Sequence, residues 1–396
     1  MQKHLSNKVV ALKDKLIQLR RDFHQHPELG LEETRTALVV ADHLEQMGLM
    51  VKRGVGRTGV VGLLEGNRPG KTLMLRADMD ALPIQEENNI SYRSQNPGVM
   101  HACGHDANMA VLLVVAEVLT AYRHKIRGRV KFVFQPGEEG FAGARLMIED
   151  GVLEHPVVDA AFGLHLSTSL PLGVMGTCDG PMMASMDSFT IKVEGKGAHA
   201  AQADLGVDSI LISSGVISAL QTLISREVPP TTPLVLHIGS IHGGTAFNVV
   251  AESVELKGTV RTFDEELRAS IPDRMNRLIE GVASAMRGTH QLDYQCGYPV
   301  LINDEAMTLI VKDSIIEIVG REGYMNIQPR MTSDDMAFFH QKVPGCYFYV
   351  GAANAEKGLT MPHHNARFDF DEAALVLGAQ TMSWVAWKFL SSNRKI

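Results

Sequence analysis

The 396-residue sequence predicts an α/β fold interrupted by a smaller α+β segment. Two observations carry that prediction. In the first and last parts of the chain, short apolar runs alternate with helix-length patterns, as in a mixed, mostly parallel sheet flanked by helices. Between residues 185 and 297 the pattern changes to strands of strict in–out alternation separated by two long helical stretches.

The elements follow in order. Val9, Leu12, Leu16, Leu19 and Phe23 recur at spacings of three and four, predicting one amphipathic helix that Pro27 stops. KTLMLRADMD (71–80) reads as a strand ending in acids, and ANMAVLLVVAEVL (107–119) as a buried helix. RVKFVFQPGEEG (129–140) is a strand running into a glycine-rich loop, AGARLMIEDG (142–151) a helix closed by Gly151, and DAAFGLHL (159–166) a further strand. From there SFTIKVEG (188–195) is a strand with Phe189, Ile191 and Val193 on one face. A helix from about Asp208 to Arg226 follows, then strands LVLHIGSI (234–241) and VELKGTVRTF (254–263), a helix from about Asp264 to Met286, and strand QLDYQC (291–296). That β-α-β-β-α-β order is ferredoxin-like. The β/α style then resumes with a helix from about Asp304 to Val319, the loop MTSDD (331–335), strand CYFYVG (346–351), the loop MPHHNARF (361–368) and a last helix over 371–389. The expected domains are therefore 1–184 with 298–396, and an inserted 185–297.

Composition narrows the function. Hydrophobic residues at 45% and charged residues at 21% suit packed cores and exclude a disordered chain. A net charge of −7 with no dense basic run disfavours nucleic acid, which demands a cationic footprint. The amino terminus is charged and lacks an apolar core, so no secretory leader is expected, and no uninterrupted apolar stretch predicts a membrane span. Four scattered cysteines, Cys103, Cys178, Cys296 and Cys346, fit a reducing cytoplasm better than a disulfide framework.

Chemistry gathers at four places. Cys103 and His105, two apart before a helix, offer a thiolate and an imidazole, good ligands for zinc, cobalt, nickel or iron. The helix dipole should help to ionise Cys103, and Asp106 is placed to cap that helix; the plain alternative is a buried, inert thiol. Glu138 and Glu139 after strand KFVFQ suit one metal ligand and one general base, or else a solvated acidic turn. His165 at the end of its strand, and either His363 or His364 in the late loop, are lone histidines whose ordinary role is structural. Position strengthens the case. Asp78/Asp80, Glu138/Glu139, His165 and His364 all follow predicted strands, and sites in open α/β sheets form outside the strands' carboxyl ends.

These segments resemble the zinc-dependent aminoacylase and carboxypeptidase superfamily, in the branch of hippurate hydrolases, N-acyl-amino-acid amidohydrolases and auxin–amino-acid conjugate hydrolases. The matching motifs run in order: RRDFHQHPELGLEE (20–33), LRADMDALPIQE (75–86), MHACGHDANMAVLL (100–113), FQPGEEGFAGARLMIEDG (134–151), GLHL (163–166), GKGAHAA (195–201), FNVVAESVELKGTVRTFD (247–264), SDDMAFF (333–339) and HHNARFDFDE (363–372). The resemblance implies a catalytic domain with an inserted lid and dimerisation domain, acting as a homodimer or homotetramer on small substrates. It implies two divalent metal ions, zinc first with manganese, cobalt or nickel as alternatives, held by Cys103, His105, Glu139, His165 and His364. His364 is preferred to His363 because it lies four residues before Phe368, the spacing the family keeps. Glu138 would be the general base, Asp78 and Asp80 would orient ligands, and His199 would polarise the scissile carbonyl, usually from the partner subunit. Asn248 and Arg261 match positions that contact substrate; a guanidinium grips a carboxylate in a two-pronged fork. His24 and His26 belong to the amino-terminal signature but not to the metal shell.

The implied reaction is hydrolysis of an N-acyl amino acid at its amide bond. Alternatives are a dipeptidase or carboxypeptidase, an N-acetyl-diaminopimelate deacetylase, or a non-catalytic ligand-binding relative. The chain departs from the family at Ala203-Asp204, where Pro-His is usual, at Ala251, where Pro is common, and at Thr332 to Met336, where Gly-Ser-Glu-Asp-Phe is usual. Those changes fall in the lid and pocket and touch no expected ligand.

Overall fold

In the computed structural model, residues 1–391 are described. The elements are α1 (Gln2–Ala11), α2 (Lys13–Gln25), α3 (Thr34–Gln46), β1 (Met50–Val55), β2 (Gly59–Glu65), β3 (Arg68–Asp78), α4 (His105–Ala121), β4 (Arg127–Gln135), α5 (Gly143–Glu149) and β5 (Ala160–Pro171). Next come β6 (Met175–Thr177), β7 (Gly180–Met183), β8 (Met186–Glu194), β9 (Ala198–His199), α6 (Ser209–Arg226), β10 (Leu234–Gly243), β11 (Val249–Val250) and β12 (Ser253–Thr262). The remainder is α7 (Glu265–Ala285), β13 (Thr289–Tyr298), β14 (Leu301–Asn303), α8 (Glu305–Val319), β15 (Tyr324–Asn326), α9 (Met336–His340), β16 (Gly345–Ala353) and α10 (Ala373–Ser391). The single amphipathic helix expected at the start is two, broken at Leu12, whose backbone leaves the helical region (φ −101°, ψ 9°).

Two compact units form among the described residues: residues 1–182, 302–328 and 335–391, and residues 183–301 and 329–334. The first is built on an eight-stranded sheet in the order β1-β2-β4-β3-β5-β16-β6-β15. Its central run β4-β3-β5-β16 is parallel, so four carboxyl ends point to one edge. Helix α4 is buried nearly all round, which its uninterrupted apolar sequence dictates. Leu73, Leu75, Phe132, Phe162 and Phe348 of the sheet share a core with Met109, Leu113 and Val385 from α4 and α10.

The second unit is a four-stranded antiparallel sheet, β10-β12-β8-β13, carrying α6 and α7. The strand order and connections are ferredoxin-like. Phe189, Ile191, Val193, Val254, Leu256 and Val260 meet Ile212, Val216, Leu220, Ile271, Met275 and Ile279 from the two helices. By length and composition α6 is apolar enough to cross a membrane, but its buried stripe packs on this sheet. Three helices start where their acids predict: Asp208 and Asp264 each cap two backbone N–H groups of α6 and α7, and Asp304 caps Met307 N–H of α8.

One boundary differs from expectation. Residues 329–334, placed with the first domain on sequence, belong to the second unit. Ala184 N–H lies 3.1 Å from Arg330 O and 2.9 Å from Thr332 O, and the Arg261 guanidinium donates to Met331 O at 3.0 Å. These bonds fasten the loop to the strand entering that unit.

Gly163 on β5 is required by a close approach. It pairs with Tyr347 of β16, and a Cβ there would lie 2.8 Å from the buried Tyr347 ring. Gly163→Ala should lose about 1–3 kcal/mol of stability through overpacking, measured by denaturant unfolding; an unchanged midpoint would mean that the ring moves aside freely.

Candidate metal centre

The parallel register assembles the centre. Asp78 ends β3 opposite Gln135, the last residue of β4, so the turn after β4 leaves the sheet level with Asp78. Arg76 pairs with Gly163, which puts His165 at that same level on β5. His165 does not end its strand as expected; β5 runs on to Pro171 because β16 continues to pair with it. The histidine is exposed to the centre because β3 stops there.

Five donors from four segments converge. Sγ of Cys103 and one ring nitrogen each of His105 and His165 lie within 4.8 Å of one another, and so do one donor atom each of Cys103, Glu139 and His364. The two sets share the Cys103 sulfur. His165 Nε2 is 3.5 Å from Cys103 Sγ, and His364 Nε2 is 3.1 Å from Glu139 Oε1. Glu138 joins His105 and Glu139 in a third set of the same tightness.

Hydrogen bonds fix which nitrogen each imidazole presents. His105 Nδ1 donates to Asp80 O at 2.8 Å, and His165 Nδ1 to Leu166 O at 2.7 Å, leaving both Nε2 atoms as acceptors toward the centre. The donor sets contain His364 and not His363, whose Nδ1 donates to Cys103 O at 3.0 Å and whose ring lies 4.7 Å from that of Phe368. Burial pushes its pKa down to about 3. Adjacent His364, at a positive φ of 64°, turns to the other side, toward Glu139.

Asp78 and Asp80 are both buried and both orient neighbours. Asp80 receives Glu138 N–H at 3.0 Å and Glu139 N–H at 2.8 Å, so one carboxylate sets the direction of both glutamates. Asp78 accepts from Arg76 Nη1 at 2.7 Å and Asn108 Nδ2 at 2.8 Å, and stands 3.7 Å from His105 Nε2.

The residues fit bound cations. His105 Nε2 is buried without a hydrogen-bond partner, which is costly for a polar atom, and the buried Glu139 Oε1 has beside it His364 Nε2, itself an expected ligand. Burial opposes charge on His105, but Asp78, Asp80 and Glu139 outweigh it and lift its pKa to about 10. Burial, then Glu139, Glu138 and Asp78, push the Cys103 thiol well up. The expected ionisation by the helix dipole is thus overridden; surrounding carboxylates dominate, and a thiolate there requires a compensating cation. A sulfur, three imidazoles and a carboxylate are the donor types for a zinc-like ion.

The second unit holds the other expected residues. His199 is exposed on β9, its Nδ1 accepting Ala201 N–H at 3.0 Å, and it pairs with Val249 beside Asn248. His199 and Asn248 are therefore neighbours. Arg261 is not with them: it lies at the far end of β12, eight residues beyond Ser253, or roughly 25 Å along an extended strand. Its half-buried guanidinium donates to Met331 O.

Sequence reading missed a buried scaffold behind the centre. Arg76 and Gln135 both donate to Asp335, at 2.9 Å and 2.8 Å. Arg20 Nε donates to Asp106 Oδ2 and its Nη2 to Asp369 Oδ1, both at 2.9 Å, and His24 Nδ1 lies 2.8 Å from Asp106 Oδ2. Asp106 therefore serves an ion pair and not a cap; Gly104 occupies the N-cap. The available signal was a charged residue inside an apolar pattern, Arg76 within LMLRAD and Arg20 on the helical face of Leu16 and Phe23.

This scaffold makes a stability prediction. Arg20→Met should cost about 3–5 kcal/mol, since Asp106 and Asp369 are left buried without their cation. Arg20 and His24 hold Asp106 well below its usual range against burial. Its contribution is therefore full above the unfolded value of about 3.9 and is lost as pH falls below it. Unfolding free energies from pH 3 to 7 should show the difference between wild type and variant full near pH 7 and shrinking below about pH 4, as protonation of Asp106 removes the wild type's advantage; a difference that does not change with pH would contradict the pairing.

Comparison with known proteins agrees with this geometry. Residues 74–388 match the model of Peptidase family M20/M25/M40. The chain is 39% identical over 390 residues to thermostable carboxypeptidase 2 of Saccharolobus solfataricus, covering 97% of this chain and 98% of that protein. It is 36% identical over 385 residues to N-acetyl-L-cysteine deacetylase of Bacillus subtilis, covering 97% and 90%. A crystal structure described as a dinuclear metal-binding peptidase of the M20 family from Bacillus subtilis superposes with a TM-score of 0.84 at 33% identity, covering 96% of this chain and 99% of that one. The chain belongs to Peptidase family M20/M25/M40 and is a hydrolase of amide bonds.

Proposed function

We propose that the chain cleaves N-acyl amino acids into a carboxylic acid and a free amino acid, with two divalent metal ions held by Cys103, His105, Glu139, His165 and His364. The observation that carries this reading is the pair of donor sets sharing Cys103 Sγ, with the Glu138 carboxylate beside them. The chemistry that cations held by these residues would supply is a more acidic water and a polarised substrate carbonyl. Glu138 accepts the proton of the attacking water at its carboxylate and returns it to the leaving amide nitrogen. Asp80 keeps Glu138 and Glu139 aimed through their backbone N–H groups, and the Asp80 carbonyl keeps His105 in the tautomer that offers Nε2. His199, with Asn248 beside it, is assigned to the developing oxyanion, and Arg261 to the substrate's amino-acid half; being a strand's length apart in one chain, the two positions serve one substrate when His199 and Asn248 come from the partner subunit of the proposed dimer.

Zinc is the first choice of metal, since thiolate and imidazole donors favour it, with manganese, cobalt or nickel as alternatives. The four free thiols support a reducing cytoplasm, and a homodimer or homotetramer is the proposed assembly. The deacetylase relative supports an acyl-amino-acid substrate. The carboxypeptidase relative supports a second reading, cleavage of a peptide's carboxyl-terminal amide by the same chemistry.

Turnover of N-acetyl, N-benzoyl and indole-acetyl amino acids, N-acetyl-diaminopimelate, dipeptides and longer peptides should rank acyl amino acids first; a preference for peptides selects the second reading. Glu138→Ala should keep its metal and lose about 10²–10⁴-fold in turnover; wild-type turnover would remove Glu138 from the role. Cys103→Ala should lose metal and activity together, and full metal content by mass spectrometry would count against sulfur ligation.

A further inference from the structure

Glu33 closes the amino-terminal signature RRDFHQHPELGLEE and has no part in the chemistry above. It is fully buried, ahead of α3. Its Oε1 accepts Gly137 N–H at 2.8 Å, and its Oε2 accepts the Thr58 hydroxyl. Its neighbour in the signature, Glu28, serves the helix instead, receiving Arg35 and Thr36 N–H at 3.0 Å and 2.8 Å.

The Gly137 bond completes a series. Asp80 takes the N–H groups of Glu138 and Glu139, so two buried carboxylates hold three successive backbone donors of the turn that carries the general base. The turn has no slack on its other sides. Gly137 sits at a positive φ of 56°, where a Cβ would lie 2.9 Å from the Leu31 side chain. A Cβ on Gly30 would lie 2.5 Å from the Phe141 ring. Residues 30–33 thus form the wall against which residues 136–141 are cast.

Keeping a carboxylate in such a place is unfavourable. Burial, and then the charge of Asp80, raise the Glu33 pKa to about 7, although both of its hydrogen bonds favour the ionised form. Helix α3 already has its cap from Glu28, so the local fold does not call for a second acid.

We propose that Glu33 is a positioning residue for Glu138: by fixing Gly137 N–H it sets the place of the general base over the metal-bound edge. The proposal rests on the reading of Glu138 as the base. What Glu33 supplies is reach and an acceptor atom; its charge is not needed. A base displaced by a fraction of an ångström to an ångström loses much of its rate, about 10²-fold at the upper end.

The test compares Glu33→Gln, Glu33→Asp and Glu33→Ala with Glu138→Ala, using the acyl amino acid that the wild-type chain turns over best. Metal content and unfolding temperature are read alongside kcat and KM. Glutamine retains an oxygen for Gly137 and an amide that can donate to Thr58, and should keep kcat near wild type. Aspartate keeps the charge but falls short by one methylene, and should lower kcat toward the 10²-fold loss with KM and metal content unchanged; alanine should match it where it folds. Wild-type kcat in the aspartate variant, or an inactive glutamine variant that keeps its metal, would overturn the proposal. If Glu138→Ala is itself fully active, the underlying reading fails instead, and the two failures are told apart.

Discussion

Concentrated negative charge at one buried sheet edge governs this structure. Asp78, Asp80, Glu138 and Glu139 gather where four parallel strands end, joined by a thiol whose pKa burial, then Glu139, Glu138 and Asp78, push well up. Such a group of acids in a low-dielectric setting is unfavourable without compensation. Part of the compensation is internal: Arg76 on Asp78, and backbone N–H groups on Asp80. The remainder is left to the centre itself, where His105 is driven toward the imidazolium form and its Nε2 has no hydrogen-bond partner. A site so short of positive charge is built for cations, and the chemistry follows from the cations it binds.

The acids divide into those that face the centre and those that hold its walls. Glu139 and Glu138 face it. Asp80, Asp335, Asp106 and Asp369 work from behind through backbone amides, Arg76 and Arg20, and each sits within a few residues of a group that faces the centre or bonds directly to the segment bearing one. Ala144 N–H on Asp335 at 2.9 Å, for example, ties the start of α5 to the same guanidinium that fixes Asp78. Placement of donors to within about half an ångström demands that their own supports be locked, and here those supports are ionic and inside the protein.

Much of this was legible in the sequence for a physical reason. Periodicity reports burial, so the α/β alternation and the ferredoxin-like insertion could be read from apolar spacing; caps at Asp208, Asp264 and Asp304 marked three helix starts. Ligand types at strand ends, Cys103 to His364, pointed to one edge because parallel strands share their polarity. What could not be read were contacts set only by tertiary register. His165 lies inside a strand whose length depends on pairing with β16. The choice of His364 over His363 rested on family spacing, whereas in the structure it follows from His364 standing beside Glu139 and Cys103. Residues 329–334 joined the second unit through backbone bonds that no side-chain pattern encodes. Arg261, grouped by motif with Asn248, is separated from it by the length of a strand.

The most direct measurement of the central claim is anomalous X-ray scattering from crystals of the protein grown with zinc. Two peaks about 2–2.5 Å from the donor atoms, one on each side of the Cys103 sulfur, are the result expected. A single ion bound elsewhere, or full amide hydrolysis by protein whose Cys103 edge holds no ion, would contradict it.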